Sequence, residues 1–472
     1  MQSKYKYLIK NTGILTISNF SSKLMAFFLL PLYTSILSTR EYGAYDIVAT
    51  SLSVVVPVLT INIVTGVMRF CMDASYEKAE VFSIGLKYTC ISIIIVGLAL
   101  WFIKVFSLIP LIVNFEFLIF FLFVSTVLQQ FATNFAKGLE RITDLAISGI
   151  LGTAISLFFN IVFLLVFAWG IKGFYLANSI SGAIVAAYLL LRVKFWKYIR
   201  IGVNKQNEKE IVSYAAPTVA LQLGWWINGS FDKYMVAILL GSAENGLLSV
   251  AYKLPTVVHT VYNIFSPAWE ISAIKEYDSG DSGKFYSTVF SYLNALLCIV
   301  CTLAIAFVRE ISKILYAKDF FSAWRYVPFL LLSAVITSSA GFFGAILSAQ
   351  KNTKSLALST VIGAFVNIAM NFLLIHFLKT IGATLATVIS SIAIFVIRLK
   401  FVKAMFFKKT LLIIFSAWLV LFLQSILMVF SDFSDLVYLQ CIFCFAEFAL
   451  FFDSLIYFAK KSMLLLVNTR RR

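Results

Sequence analysis

Apolar runs of about 20 residues, parted by short polar breaks, recur along the whole of this sequence. A helix needs roughly 20 apolar residues to cross a bilayer, and backbone polar groups in lipid must be satisfied within the element itself. Such runs therefore restrict the chain to an all-α polytopic membrane protein. Fourteen spans are read, at 11–33, 43–68, 82–103, 111–136, 145–169, 173–193, 213–240, 246–270, 286–308, 324–349, 355–377, 381–402, 410–430 and 436–459. The runs are too long, and alternate too little, for a β-barrel. The basic start MQSKYKYLIK leads into an apolar stretch that passes residue 30 without an A-x-A site, which reads as an uncleaved first helix.

Lys and Arg set the expected orientation. With an even span count both termini share a side. That side collects Lys4, Lys6, Lys10, Lys137, Arg141, the run Arg192, Lys194, Lys197, Arg200, Lys205, Lys209, then Lys351, Lys354, Arg398, Lys400, Lys403, Lys408, Lys409 and the closing Arg470, Arg471, Arg472. The opposite loops hold isolated bases and one cluster, Arg309, Lys313, Lys318 and Arg325. Both termini are expected in the cytoplasm. The net charge of +17 is mostly this signal, with attraction to anionic lipid. The bases are spread over short loops with no binding module, so nucleic acid is not an expected partner.

The chain resembles itself at an offset near 210. Residues 145–160, LAISGILGTAISLFFN, lie over 356–371, LALSTVIGAFVNIAMN, with Ala146, Ser148, Gly152 and Asn160 matching Ala357, Ser359, Gly363 and Asn371. Leu37-x3-Glu41-x-Gly43 repeats as Leu240-x3-Glu244-x-Gly246. This predicts a six-helix lobe at 1–193, a basic linker at 194–212, a second six-helix lobe at 213–402, and two further helices with a basic tail at 403–472. Parallel repeats of this kind place a central cavity between the halves.

Residues three and four apart share a helix face. Span 1 carries Thr12, Thr16, Asn19 and Lys23. Span 2 carries Asp46, Thr50, Ser53, Pro57 and Thr60, with Arg69 at its end. Span 7 carries Thr218, Gln222, Trp225, Gly229 and Asp232, with Lys233 beside them. Span 8 carries Tyr252, Thr256, His259, Asn263, Ser266 and Glu270, with Lys253 one position off. Small polar residues on one face often mark close packing, and spans 5 and 11 read that way. Ionisable groups at depth point instead to a hydrated cavity in spans 1, 2, 7 and 8. Lys23, Arg69, Lys87, Lys233 and Lys253 make that cavity slightly basic, which suits an anionic head group such as a pyrophosphate. Asp46, Asp232 and Glu270 are placed to neutralise those bases or to carry a coupling proton or sodium ion. His259 reads first as a hydrogen-bonding liner, with proton coupling the alternative. Glu447 and Asp453 in span 14 require basic partners near span 13 or a protein-packed surface, and the sequence leaves both open.

Cys298-x-x-Cys301 and Cys441-x-x-Cys444 lie inside apolar runs and read as packing residues rather than a metal or redox site. No G-x-x-x-x-G-K-[ST] loop is present, and no loop is large enough for an ATPase or shows a nucleophile motif. The expectation is a transporter, not an enzyme, with no cofactor. A MATE-type drug/cation antiporter and a non-transporting scaffold are the rival classes.

The stretches LSTREYGAYDI (37–47), GVMRF (66–70), SYAAPTV (213–219) and WINGSFDKYMVAILLGSAENGLLSVAYKLP (226–255) resemble the polysaccharide-export branch of the multidrug/oligosaccharidyl-lipid/polysaccharide (MOP) flippase superfamily, Wzx-type flippases above all. The resemblance implies a MATE-like fold of two six-helix lobes working by alternating access. It implies a substrate of undecaprenyl-pyrophosphate-linked oligosaccharide, flipped outward across the bacterial inner membrane for O-antigen, capsule or a similar polymer. A polysaccharide polymerase and a chain-length regulator are the partners it suggests. Arg69 falls on the family's arginine closing helix 2, and Asp232-Lys233 on its Asp-Arg/Lys pair in helix 7. Lysine keeps the charge there but loses bidentate phosphate geometry. Lipid II flippases carry several arginines in their first helices, whereas this chain has only Lys23 in span 1.

Overall fold

The structure, a computed structural model, describes residues 29–107, 114–277, 283–350, 352–402, 406–431, 436–452 and 456. The described residues are almost wholly helical, without strands. Nine segments among them are long and apolar enough to cross a membrane. By contacts the chain divides into two units, 1–227 and 228–472.

The first unit opens with α1 (Leu30–Ile36) and α2 (Thr39–Leu59). Ser38 and Glu41 form a reciprocal capping box at the start of α2, which satisfies two backbone donors that a helix start leaves open. Residues 43–68 do not form one continuous helix. Pro57 leads into a break where Ile61 and Asn62 take φ of 53° and 48°, before α3 (Ile63–Cys71) resumes. A β-branched residue at positive φ is strained and must be held by its surroundings. The Asn62 side chain supplies part of that hold by donating to Thr218 Oγ1 at 2.8 Å.

Next come α4 (Lys78–Val105), α5 (Glu116–Gly138), α6 (Ile142–Asn160, extended by a π turn) and α7 (Gly170–Val193). They close over a core of Phe82, Phe131 and Phe135, with Phe82 and Phe135 ring centroids 4.7 Å apart.

The basic linker is strapped to this unit. Lys87 meets Glu208 at 2.7 Å, Asn207 donates to Glu80 at 2.8 Å, Tyr76 to Glu210, and Arg200 to Glu77. It leads into α8 (Lys205–Leu239), a single helix inside which the two units divide.

The second unit continues with α9 (Ser242–Ala251), α10 (Pro255–Tyr277), α11 (Gly283–Ala306), α12 (Val308–Leu315) and α13 (Val327–Ala349). Then follow α14 (Thr353–Val402), α15 (Lys408–Phe430) and α16 (Leu436–Leu450). α14 is two helices in one, kinked at Lys379 with φ 51°, as the expected break at 377/381 requires. α13 is the spine: most of its side chains are buried, against a minority in α4. A Phe-rich core surrounds it: Trp269 stacks on Phe342 at 3.8 Å, and Phe343 packs on Phe290 and Phe395. α8 and α10 are absent from the nine apolar segments, because their polar stripes lower their hydropathy.

At the matched Ser and Asn positions the local hydrogen bonds are alike. Ser148 Oγ donates to Leu145 O at 2.8 Å, and Ser359 Oγ to Leu356 O at 2.7 Å. The Asn160 and Asn371 amides each donate to the carbonyl four residues back, at 2.7 and 2.9 Å. A Cβ at Gly152 would strike Val185, and one at Gly363 would strike Ile394.

Candidate functional site

In the second unit the charge of α8 is built into a small polar centre. Asp232 is only 3% exposed. Its carboxylate accepts from the Tyr252 hydroxyl, from Thr387 Oγ1 at 3.4 Å and from the Lys233 N–H at 2.9 Å. The Lys233 ammonium stands 5.4 Å from the centre of the Tyr252 ring, within cation–π range. The centre therefore joins α8, the turn between α9 and α10, and the second half of α14. One turn beyond Thr387, Ser390 accepts from the Asn367 amide at 3.4 Å. The first half of α14 is thereby tied to the same seam.

Tyr252 does not belong to the α10 stripe. Pro255 has no N–H to extend a helix from above, so residues 252–254 turn and α10 starts afresh with Pro255. The expected six-residue stripe is shortened to Thr256, His259, Asn263, Ser266 and Glu270. The turn swings Tyr252 onto Asp232 instead.

On α10, Thr256, Asn263 and Glu270 are exposed and His259 and Ser266 half-buried, opposite the buried Val258 and Trp269. Ser266 donates to Glu270 at 3.1 Å. Lys253 is half-buried in the turn and makes no ion pair among the described residues.

In the first unit Asp46 is half-buried on α2, with Thr50 Oγ1 at 3.5 Å. Thr50 O in turn accepts from the Trp226 indole at 3.1 Å. Arg69 is exposed on α3, 4.0 Å from Asp73. Asp73 lies in the loop after α3, where hydrogen bonds from Ser75 hold its carboxyl below the usual range. Pro57 and Thr60 of the span 2 stripe are buried, so that face is packed at its inner end. Lys87, expected in the cavity, is engaged by Glu208 of the linker. Asn19 and Lys23 lie outside the described residues.

Three groups were missed from sequence. Thr387 is one of several Ser and Thr residues in ATLATVISS, and its spacing was the available signal. Glu244 was noticed only as a repeat match, yet it accepts from Tyr326 at 2.9 Å and Thr380 at 2.7 Å. Arg398 was counted among cytoplasmic loop bases. It is 6% exposed inside α14 and donates to Ala340 O, Ser359 Oγ and Thr360 Oγ1 at 2.8, 3.0 and 3.2 Å. A single base closing an apolar run looks the same in sequence whether it snorkels or folds inward.

A family model described as "Polysaccharide biosynthesis protein" matches residues 8–269. The chain belongs to this family. An uncharacterized membrane protein of Methanocaldococcus jannaschii is 24% identical to this chain over 419 residues, covering 83% of this chain and 96% of that protein.

Among solved structures, the lipid II flippase MurJ in an inward closed conformation superposes with a TM-score of 0.73 at 15% identity, covering 95% of this chain and 100% of its own. An inward-facing multidrug resistance MATE family transporter of the MOP superfamily gives a TM-score of 0.62 at 12% identity, covering 83% and 98%. At these identities the likeness shows the fold: the chain has a MurJ/MATE-like architecture.

Proposed function

We propose that this chain is a flippase that moves undecaprenyl-pyrophosphate-linked oligosaccharide repeat units from the inner to the outer leaflet of the bacterial cytoplasmic membrane. It does so by alternating access, without an ATPase, for O-antigen, capsule or exopolysaccharide synthesis. Both termini face the cytoplasm in this reading, and a polymerase and chain-length regulator receive the product. The observation that carries it is the family match over 8–269. Fold likeness to a lipid II flippase supports it.

Arg69 and Lys253 serve as the basic contacts for the pyrophosphate, with Asp46, His259, Asn263 and Glu270 lining the path. Asp232 is the group suited to a coupling proton or sodium ion. It is buried, and its partners are the hydroxyls of Tyr252 and Thr387, the backbone N–H of Lys233 and the nearby Lys233 ammonium. A carboxylate so placed at bilayer depth is a functional group by default.

The test uses a strain lacking the gene. A glycan-cleaving enzyme is applied to sealed inside-out and right-side-out vesicles. Build-up of lipid-linked oligosaccharide on the cytoplasmic face, relieved by the intact gene, is the expected result. No build-up with polymer still displayed would remove lipid-linked glycan as substrate and favour a MATE-type antiporter. In the complemented strain, Arg69→Ala and Lys253→Ala should lower export about tenfold at unchanged abundance, equivalent to roughly 1.4 kcal/mol.

A further inference from the structure

The polar cluster between α11, α15 and α16 is not used by the reading above. Thr302 Oγ1 donates to Gln424 Oε1 at 2.9 Å, and the Gln424 amide donates to Gln440 Oε1 at 2.7 Å and to Thr302 O at 3.1 Å. The Gln440 amide is spent on Met428 Sδ at 3.7 Å. All three polar residues are buried. Two turns along α16 from Gln440, on the same face, stands Glu447. It is fully buried, and neither carboxyl oxygen has a hydrogen-bond partner among the described residues. The nearby amides bond to Thr302, to Gln440 and to Met428, and neither bonds to it.

The titratable groups around it are thiols: Cys298 and Cys301 of α11, and Cys444 of α16 itself. No charged side chain of α11, α15 or α16 faces it among the described residues. Among the described residues no set of three acidic, His or Cys side chains there could hold a metal ion. Of the two sequence readings for Glu447, a basic partner or a protein-packed surface, the structure takes the second. Asp453 lies outside the described residues.

An ionised carboxylate without a partner is far costlier to bury than a neutral one. We propose that Glu447 is a proton-binding site of the C-terminal helix pair: its carboxyl carries a proton while α11, α15 and α16 pack as seen here, and gives it up when water enters the seam. The proton comes from water and returns to water, and no other bond changes. Raising the pH then favours the opened seam, and lowering it favours the packed one. The claim does not depend on which substrate is moved.

The experiment uses the full chain in lipid nanodiscs, wild type beside Glu447→Gln. Infrared difference spectra at neutral pH should show the carbonyl stretch of a protonated carboxylic acid in wild type and its loss in E447Q. In wild type the band should fade as the pH is raised. In parallel, maleimide labelling of Cys298 and Cys301 should rise more steeply with pH in wild type than in E447Q, where thiol ionisation alone contributes. Should E447Q fold poorly, Glu447→Leu provides the same comparison. A band absent from wild type, a band persisting unchanged to alkaline pH, or identical labelling in both proteins would each overturn the proposal.

Discussion

Glu41 and Glu244 occupy the same place in the two halves of the sequence, and they hold different things. Glu41 folds back on its own helix start, accepting from Ser38 N and Oγ at 2.9 and 2.8 Å. Glu244 reaches outward, to Tyr326 before α13 and to Thr380 beside the α14 kink.

Arg192 and Arg398, each near the end of a half, differ in burial and in the chemistry of their partners. Arg192 is half in water and pairs with the buried Asp144 at 2.9 Å. Arg398 is buried and has hydroxyls and a carbonyl but no acid. The Ser, Gly and Asn positions of the repeat keep their geometry in both halves. Local interactions within one helix are thus inherited with the repeat, while long side chains are reassigned by whatever packs beside them. In the second half both the glutamate and the arginine reach distant segments; in the first, Glu41 stays on its own helix start while Arg192 ties α7 to Asp144 at the start of α6.

The contrast is most open to challenge at the arginines. Arg398→Ala should cost about 3 kcal/mol, from lost hydrogen bonds of a buried charge and the cavity left behind. Arg192→Ala should cost clearly less, since water reaches its site. Thermal unfolding of both variants in detergent measures this, and equal losses would break the comparison.

The glutamates come next. Glu244→Ala should cost about 2 kcal/mol, as two hydroxyls lose their acceptor. Glu41→Ala should lose about 1 kcal/mol, the worth of a capping box. A larger loss at Glu41 would reverse the assignment of roles.

The smallest effect concerns the linker strap. The Lys87 ammonium holds the Glu208 carboxyl below its usual range. A carboxylate with a lowered folded value contributes stability above the ordinary value of about 4.3, and that contribution is lost as the pH falls through the lowered one. Between neutral pH and pH ~4 the wild type should therefore lose slightly more than Lys87→Met, by less than about 1 kcal/mol given the exposure of the pair. Unfolding midpoints across that range sharpen the view that the strap is a surface device.

Run length fixed the helical membrane class, and the offset near 210 revealed the doubled pattern, because both are properties of composition along the chain. The break at 377/381 was visible for the same reason. Asp232 and Lys233 stood out because charge inside an apolar run is rare. Their partners did not: Tyr252 reached Asp232 only because Pro255 turns the chain, and Thr387 lies 155 residues from Asp232. The burial of Arg398 and the isolation of Glu447 were likewise decided by tertiary structure. A sequence shows where polar groups are placed along a helix; which of them find a partner depends on neighbours brought in from distant segments.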